Sequence, residues 1–564
     1  MSEPEPAGRL ALPAALLLTL IATWPLAPML LGGDWIGHPT GDLADHVQGA
    51  WWFAGELSAG RLPTTTTLTH VPGAQPLWYV DPVGALLAAP LWAAGGALAW
   101  NAALLLQILG ATAVAWACAR DLTGSRWGAT LAAVVAVPSP YLLGILHSGI
   151  SEMVGLAPLV AAVWAGLRAT GRDPQGRPPP RGMAALAGAL VGLCAWQAPY
   201  YAAFAGLFLL CCVPGPRWPT RVKPVALAVG VSVLVAAPAL GAIAATLLAE
   251  QGAVNAANAP GWSGGGPLPA TDLLTFVRPG DYYFPDTPAL GNPGILHVNY
   301  LGAVAIFAGG WGLARSPVSR PLALPSALYG VLMLGPGLVV GGAHLGLPLP
   351  LALLYAGPSP FDLVHHPYRM VSLGMVLLGL LAALGAQTVR PAARWALVLG
   401  VVAETTLLSP GPWPLPHTPP SDPAPWEGLP AGAVLDWPPD ATTENRRYQL
   451  AQVAHGHPVP WGVNVFLPDA LARDPLVNQL LRALEDPTRR ARNRDVPAHA
   501  PPVPAADPGD TRLAELGFGA LVVHRAALSE PEWARADAAL RQALGPPSEA
   551  GPWGARWRLD LSAP

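Results

Sequence analysis

The chain has 564 residues, of which 52% are hydrophobic and 12% are charged, and its mean hydropathy is +0.39. Soluble proteins carry about a quarter charged residues, so this chain has too little charge to cover a soluble particle of its size. The composition therefore predicts a membrane protein. A formal net charge of −3 argues against a protein that binds nucleic acid.

The first apolar run covers residues 10–31, which is long enough for a membrane crossing of about 20 residues. We interpret it as a retained first helix, because no small-residue cleavage site follows it cleanly. A polar and aromatic loop follows at 33–81. Within this loop, residues 42–57 have amphipathic helical spacing with Trp51 and Trp52, which is typical of a helix along the membrane interface.

Further apolar segments predict a mainly α, polytopic bundle of about ten to thirteen membrane helices. The 184–212 segment is too long for one crossing, and its AWQAPYY centre indicates two half-helices. The segments are 83–99, 102–118, 127–146, 152–167, 184–212, 222–249, 299–314, 321–341, 346–357, 370–388 and 393–409.

Arginine clusters predict the orientation, since positively charged loops face the cytoplasm. If the clusters at 168–181, 217–223, 315–320 and 390–394 are inside, then 33–81, 147–151, 251–298, 358–369 and everything from 410 onward lie outside. Residues 81 and 147 are both predicted outside, so the chain must cross the membrane an even number of times between them. Three apolar segments lie in this interval. The proline-containing 83–99 segment is therefore predicted to be re-entrant, and so is 346–357.

The last 150 or so residues differ from the rest. We predict a transmembrane domain at 1–409, a proline-rich linker at 410–425 and an extracytoplasmic α/β domain at 426–564. In the last of these, AVLDW and GALVVH indicate strands, residues 530–544 an amphipathic helix and WRLDL a closing strand.

Candidate catalytic groups directly follow the first membrane segment. Asp42 and Asp45 are three residues apart, so a helix would place both on one face, with His46 beside them. A carboxylate on such a loop could take a proton from an acceptor hydroxyl. The alternative is a helix start, with Thr40 or Asp42 as the cap and acids in the first turn.

Other polar residues lie where the chain is expected to leave the membrane on the same side. Asp81 could hold a phosphate through a metal ion, or it could mark the boundary with water. His147 and Glu152 fall between two apolar segments with no basic residue nearby, and could instead form an ordinary polar turn.

Arg369 follows His365 and His366 in FDLVHHPYRM, at the predicted outer end of a helix. A guanidinium can bind a phosphate through two hydrogen bonds, as a lipid phosphate would require. The alternative is an interfacial arginine that extends its charge to water. Arg278 and Tyr300, which flank the large outer loop, are further candidates of this kind.

The arrangement resembles the GT-C superfamily of membrane glycosyltransferases, and within it the YfhO-like and protein O-mannosyltransferase-like proteins. The resemblance is carried by GDLADH and YVDP in the first loop, NYLGAV and HHPYRM later, and AVLDWPP with YQLAQVAHGHPVPWG after the last helix. It covers nearly the whole chain in layout and is specific only at these short motifs.

The resemblance implies transfer of a sugar from a polyprenyl-phosphate donor to an acceptor outside a bacterial cytoplasmic membrane. It assigns the catalytic acid to Asp42 or Asp45, a second acid to Glu152 with His147 as its companion, and the donor phosphate to Arg369. The chain lacks an acidic dipeptide in the first loop and a WWDYG-type motif, which makes asparagine-linked transfer unexpected. A divalent metal stays possible and is not required by the sequence.

Two other classes of function remain open on the sequence. A transporter or flippase would concentrate its polar residues at the middle of the bilayer, whereas these are predicted at one face. An inactive scaffold could use the C-terminal domain for binding.

Overall fold

The computed structural model of the protein describes residues 10–69, 71–72, 75–76, 78–249, 270–279, 294–355, 367–438, 444–460, 468–485 and 511–559. The chain divides into two compact units. The helical unit comprises Met1–Asp42, Val80–Gly241 and Gly266–Thr418, and the α/β unit comprises Leu43–Tyr79, Ala242–Gly265 and Pro419–Pro564. Most of the first loop is thus grouped with the C-terminal residues. The domain boundaries at 409 and 426 stay a prediction.

The helices are α1 Ala11–Ala22, α2 Leu43–Ser58, α3 Pro82–Ala88, α4 Gly96–Thr123, α5 Arg126–Ala136, α6 Pro140–Ser148, α7 Ala157–Ala169, α8 Met183–Gln197, α9 Pro199–Cys211, α10 Trp218–Ala249, α11 Ala303–Arg315, α12 Arg320–Leu332, α13 Pro350–Tyr355, α14 Val371–Ala386, α15 Pro391–Leu408, α16 Glu444–His455, α17 Asp469–Ala472, α18 Pro475–Ala483 and α19 Glu530–Leu544.

The strands are β1 Trp35–Ile36, β2 Thr65–Thr66, β3 Gln75–Pro76, β4 Gly337–Val340, β5 Ala343–Pro348, β6 His417–Thr418, β7 Ala433–Trp437, β8 Phe518–His524, β9 Glu549–Gly551 and β10 Gly554–Arg558. The strands β1 and β6, β2 and β3, and β4 and β5 form antiparallel pairs. The remaining four strands form one sheet in the order β7-β8-β10-β9.

Five segments of the described chain are long and apolar enough to cross a membrane: Gly96–Thr123, Arg126–Ser148, Ser151–Ala169, Trp218–Thr246 and Pro367–Ala386. Shorter apolar helices accompany them. Along α10, large apolar side chains such as Leu227, Val233 and Leu234 are exposed, as expected for a helix that faces lipid. These features define a multi-pass membrane bundle.

One end of the helical unit is rich in arginine. Arg177 pairs there with Asp121 at 2.9 Å and with Asp173 at 2.6 Å. Arg172 donates to the backbone oxygens of Cys212 at 2.7 Å and Pro321 at 2.9 Å. These contacts bring together the ends of α4, α7 and α9 and the beginning of α12.

Other loops meet at the opposite end. His38 N donates to His147 O at 2.8 Å, Leu415 N to Trp24 O at 2.8 Å and Leu296 N to Ser148 Oγ at 3.0 Å. The contacts join the loops after α1, α6 and α15 to the loop before α11.

The re-entrant interpretation of 83–99 agrees with this arrangement. Asp81, before α3, accepts from Gln197 at 3.1 Å, and Gln197 also contacts the loop after α6. At the beginning of α4, Asn101 donates to Asp34 O at 2.8 Å. The segment from Asp81 to α4 therefore begins and ends toward the end that lies opposite the arginine-rich one.

Two helix predictions need correction, and a third is confirmed. The first helix ends at Ala22 instead of 31, since Pro25 and Pro28 lack the N–H that a continuing helix needs. The 346–357 segment is largely the hairpin strand β5 and the short α13. The break between α8 and α9 at Ala198 confirms the two predicted half-helices.

The α/β unit has the predicted order of elements. The strand β7 pairs parallel to β8, and α19 spans the predicted residues with a capping box between Ser529 and Glu532. The closing strand β10 begins at Gly554, three residues earlier than predicted, because Gly554 to Arg558 pair with β8. Trp437, Phe518 and Trp557 lie in the core beneath the sheet.

The predicted amphipathic helix is α2, but its apolar side is covered by protein. Trp52 and Phe53 are buried, and Gln48 donates to Gln452 of α16. Val459 N donates to Leu68 O at 2.9 Å, which ties the following residues to the same unit. The prediction of a helix is confirmed, and its position along the membrane interface stays a prediction.

Candidate functional site

Asp42 is fixed by backbone contacts where loops of the helical unit meet. Its N–H donates to Ser148 O at 2.7 Å. A Cβ on the preceding Gly41 would lie 2.5 Å from Ser148 O and 2.7 Å from Gly294 O. The loop therefore depends on glycine here, since two backbone oxygens occupy the space that a side chain would need. The Asp42 side chain is partly exposed.

The segment before α11 approaches Asp42 from another direction. Leu296 is held by Ser148 Oγ, and Val298 packs so closely on Gly144 that a Cβ there would lie 2.5 Å from the valine Cγ2. His297, between them, is 3% exposed. Its ring is perpendicular to that of Tyr368, with 4.9 Å between the centroids.

Arg369 belongs to the 3₁₀ turn Pro367–Met370 at the beginning of α14. Its guanidinium carbon lies 4.4 Å from the centre of the Tyr200 ring, a cation–π contact. Its Nε is shielded from solvent and has no hydrogen-bond partner among the described residues. The Tyr368 side chain also shares a hydrogen bond with Arg369.

Charge interactions connect these groups. Arg369 interacts electrostatically with Glu152, and Tyr368 interacts with Asp42, Glu152 and Arg369. His297 interacts with Arg369 and Asp42. We call Asp42, Glu152, His297, Tyr368 and Arg369 the acid–arginine cluster. It places two carboxylates and one guanidinium at the end of the unit opposite the arginine-rich loops.

His297 is neutral in this cluster. Burial lowers its pKa to about 4, and the positive charge of Arg369 lowers it further, against the opposing effect of Asp42. A neutral imidazole adds no charge to the cluster.

Glu152 lies in the 3₁₀ turn Ser151–Met153 and is buried. The Gln197 carboxamide donates to Glu152 O at 3.3 Å, to Gln107 Oε1 at 2.9 Å and to Asp81 Oδ1 at 3.1 Å. Asp81 also accepts from Gly84 N at 2.8 Å and so caps α3. Asp81 therefore lies near the cluster and has a structural role as a helix cap.

His147 is also at this end, at the last turn of α6. It is buried, and its ring lies 5.1 Å from that of His38. The two histidines belong to the loops that hold Asp42.

Asp45 and His46 belong to the α/β unit, in the first turns of α2. Both are buried, and Tyr79 Oη donates to His46 O at 2.8 Å. The partly exposed Asp42 is more accessible to a substrate than the buried Asp45.

The other candidates are distributed elsewhere. Arg278 is exposed, and Tyr300 is buried and donates to Glu404. His365 and His366 lie outside the described residues. Among the residues with described positions, no group of three or more His, Cys, Asp or Glu could hold a metal ion.

A cleft of about 490 Å³ lies in the α/β unit and is lined by residues that include Thr67, Val71, His455, His457 and Leu516. None of the sequence-predicted site residues lines it. No residue of the acid–arginine cluster lines this cleft, and His455 and His457 were not among the residues predicted from the sequence.

Sequence reasoning missed His297 and the tyrosines around Arg369. The signals were short: His297 lies two residues before the quoted NYLGAV motif, Tyr368 precedes Arg369 in HHPYRM, and Tyr200 is the first tyrosine of AWQAPYY. Tyr200, His297 and Tyr368 are far apart in the chain, so only folding shows that they lie around the same arginine.

No family model and no curated protein matches the sequence. Solved structures do match. The archaeal oligosaccharyltransferase AglB from Archaeoglobus fulgidus, in complex with an inhibitory peptide and a dolichol-phosphate, aligns over 96% of this chain and 71% of its own, with 13% identity and a TM-score of 0.51. Its apo form aligns over 94% and 71% at 11% identity, also with a TM-score of 0.51.

The mycobacterial arabinofuranosyltransferase AftD aligns over 93% of this chain at 17% identity with a TM-score of 0.48. The present chain spans only 35% of the length of AftD.

The alignment with AglB defines the class of fold. The protein has the GT-C fold of membrane glycosyltransferases, as the sequence resemblance predicted. At this level of identity the likeness establishes the fold and leaves the activity to be argued from the site.

Proposed function

We propose that the protein is a membrane glycosyltransferase that moves a sugar from a polyprenyl-phosphate donor to a hydroxyl of an acceptor. The observation that supports it best is the acid–arginine cluster, in which Asp42 and Arg369 both interact with His297. A carboxylate and a guanidinium that both act on the same histidine provide the two kinds of group that this reaction requires.

In this proposal Asp42 is the base. The acceptor oxygen attacks the anomeric carbon, the bond from that carbon to the phosphate oxygen breaks, and Asp42 takes the hydroxyl proton. Its partly exposed side chain is accessible to an acceptor.

Arg369 binds the phosphate in this proposal and offsets the negative charge that develops as polyprenyl phosphate leaves. The Tyr200 ring supports one side of the guanidinium, and the charge of Glu152 stabilises it. The dolichol-phosphate bound to AglB is, like the proposed donor lipid, a phosphorylated isoprenoid alcohol, which supports this assignment.

We further propose that the arginine-rich end faces the cytoplasm of a bacterium and that the cluster faces the outside of its cytoplasmic membrane. The acceptor would then be a glycolipid, a cell-wall polymer or a protein of the cell envelope.

The test is sugar transfer by purified protein from radiolabelled polyprenyl-phosphate sugars to a membrane extract. Asp42→Asn should lower the rate by about 10²-fold or more, the usual contribution of a general base. Arg369→Gln should weaken donor binding. Asp422→Asn is a matched control, because Asp422 is exposed and accepts only a local bond from Ala424 N.

Undiminished transfer by a folded Asp42→Asn variant would contradict the assignment of the base. Donor binding without transfer by the unmodified protein would favour a scaffold, and the absence of both would favour a transporter.

A further inference from the structure

The break between α8 and α9 comes directly before the tyrosine that contacts Arg369. Ala198 is extended, with φ −153° and ψ 125°, and Pro199 lacks the N–H that a continuous helix needs. Tyr200 follows in the first turn of α9, and its ring centre lies 4.4 Å from the guanidinium carbon of Arg369. The position of this ring therefore depends on what fixes the two helix ends at the break.

Both helix ends are anchored to the same short turn. On the α8 side, Gln197 Nε2 donates to Glu152 O at 3.3 Å. On the α9 side, Tyr201 Oη donates to Met153 O. Gln197 is 1% exposed and Tyr201 is fully buried. Because Tyr200 lies between these two residues in the chain, the 3₁₀ turn that contains Glu152 fixes the backbone on either side of it.

Gln197 also links the break to two other elements. The same Nε2 donates to Gln107 Oε1 of α4 at 2.9 Å and to Asp81 Oδ1, before α3, at 3.1 Å. A Cβ on Gly155 would overlap the Gln197 carboxamide, so the chain needs glycine there to admit it. A carboxamide has two N–H protons for these acceptors, and its removal would leave buried polar groups unpaired. Gln197 is therefore held in one position from three directions.

The position of the Tyr200 ring matters for phosphate binding because a guanidinium is planar. Its N–H donors form a fixed fork in that plane, so the plane must be directed at the phosphate for two parallel hydrogen bonds to form. An aromatic ring against the guanidinium sets the plane. Without the ring in place, the Arg369 side chain could turn its charge toward water instead.

We propose that Gln197 is a positioning residue for donor binding, which fixes the break between α8 and α9 and thereby holds the Tyr200 ring against Arg369. This inference rests on the proposed function, in which Arg369 binds the donor phosphate. It adds a residue that acts on the arginine through Tyr200.

The experiment measures the affinity of the full chain in lipid nanodiscs for undecaprenyl phosphate. Tyr200→Leu removes the ring and should weaken binding about tenfold, as expected for a cation–π contact shielded from water. Gln197→Met keeps the length of the side chain and removes its hydrogen bonds, and it should weaken binding about threefold or more. Tyr201→Phe removes only the hydroxyl of the second anchor and should weaken binding in the same direction.

A double variant separates positioning from general destabilisation. If Gln197 acts through the Tyr200 ring, Gln197→Met combined with Tyr200→Leu should bind no more weakly than Tyr200→Leu alone. A merely structural role predicts that Gln197→Met weakens binding by the same factor in both backgrounds. Gln387→Met is the matched control, because Gln387 donates to Thr123 O at 2.7 Å at the end of α4, among the arginine-rich loops, and should leave the affinity unchanged.

Unchanged affinity in folded Gln197→Met, or an equal factor in both backgrounds, would overturn the inference alone, provided that the unmodified protein binds the lipid. If Gln197→Met does not fold, the same cycle with Tyr201→Phe decides the matter, since that variant keeps its ring. If the unmodified protein does not bind undecaprenyl phosphate, the proposed function fails, and the inference fails with it.

Discussion

At the scale of single residues, Glu404 shows an acid in an apolar helix with a structural role. It lies in α15 and is buried, and its carboxylate accepts from Ala303 N at 2.6 Å and Val304 N at 2.9 Å. These are unpaired N–H groups at the beginning of α11. Tyr300 Oη donates to the same carboxylate, and burial and this bond raise the pKa of Tyr300 to about 12.

We expect Glu404→Ala to lower the free energy of unfolding by about 1–3 kcal/mol, because the buried N–H groups lose their acceptor. Tyr300→Phe should cost less, since two backbone donors still satisfy the carboxylate. Thermal unfolding in detergent measures both. Equal losses for the two variants would contradict the capping role.

His455 in the α/β unit predicts a pH dependence. Burial lowers its pKa to about 4, against the opposing effect of Asp436 and with a further lowering by His457. The ordinary value is 6.5. Because the unfolded chain takes up this proton first, stability is full above pH 6.5 and is lost as the pH falls toward 4, by at most about 1.4 kcal/mol per pH unit.

His455→Phe should flatten the unfolding curve of the α/β unit between pH 6.5 and 4, since it keeps the ring stacked on Trp426 and removes the proton. Equilibrium unfolding followed by tryptophan fluorescence measures this. An identical slope in the variant would assign the acid sensitivity to other groups.

At the scale of elements, the loop that carries Asp42 is set by close backbone contacts. Gly41→Ala would press a Cβ against two backbone oxygens, and neither can move without shifting its own chain segment. We expect a loss of about 1–3 kcal/mol of stability, typical of overpacking, together with reduced transfer because Asp42 is displaced.

Gly55→Ala is the matched control, since nothing lies within 4 Å of the new Cβ and Gly55 is in the exposed part of α2. It should stabilise the protein by about 0.5–1 kcal/mol. If both alanines had the same effect on melting temperature and transfer, close contact at Gly41 would not be what holds the loop.

At the scale of the whole molecule, the helical unit has two distinct ends that differ in charge. Gln175 is exposed in the arginine-rich loop, and His417 is exposed in the loop after α15. The proposed orientation places them on opposite sides of the membrane.

We expect an impermeant maleimide to label His417→Cys in intact spheroplasts and Gln175→Cys only after lysis. The natural cysteines give the background, and three of the four are buried. Labelling of Gln175→Cys in intact spheroplasts would reverse the proposed sidedness.

Local properties of the chain were enough to predict the class of this protein and the order of its elements. Charge content and apolar segments are local properties, so they gave the membrane bundle, the break between α8 and α9, and the strand–helix order of the C-terminal unit. The resemblance identified the GT-C fold from short motifs, and the structure confirmed it.

Which polar residues meet depends on long-range packing and could not be predicted from local pattern. Asp42, His297 and Arg369 lie in three different loops that are far apart in the chain, and no local pattern records that these loops meet. Packing also buries the apolar face of α2 within the α/β unit. Amphipathic spacing alone is equally compatible with a helix on a membrane surface. Spacing specifies that a face must be covered, and long-range packing specifies what covers it.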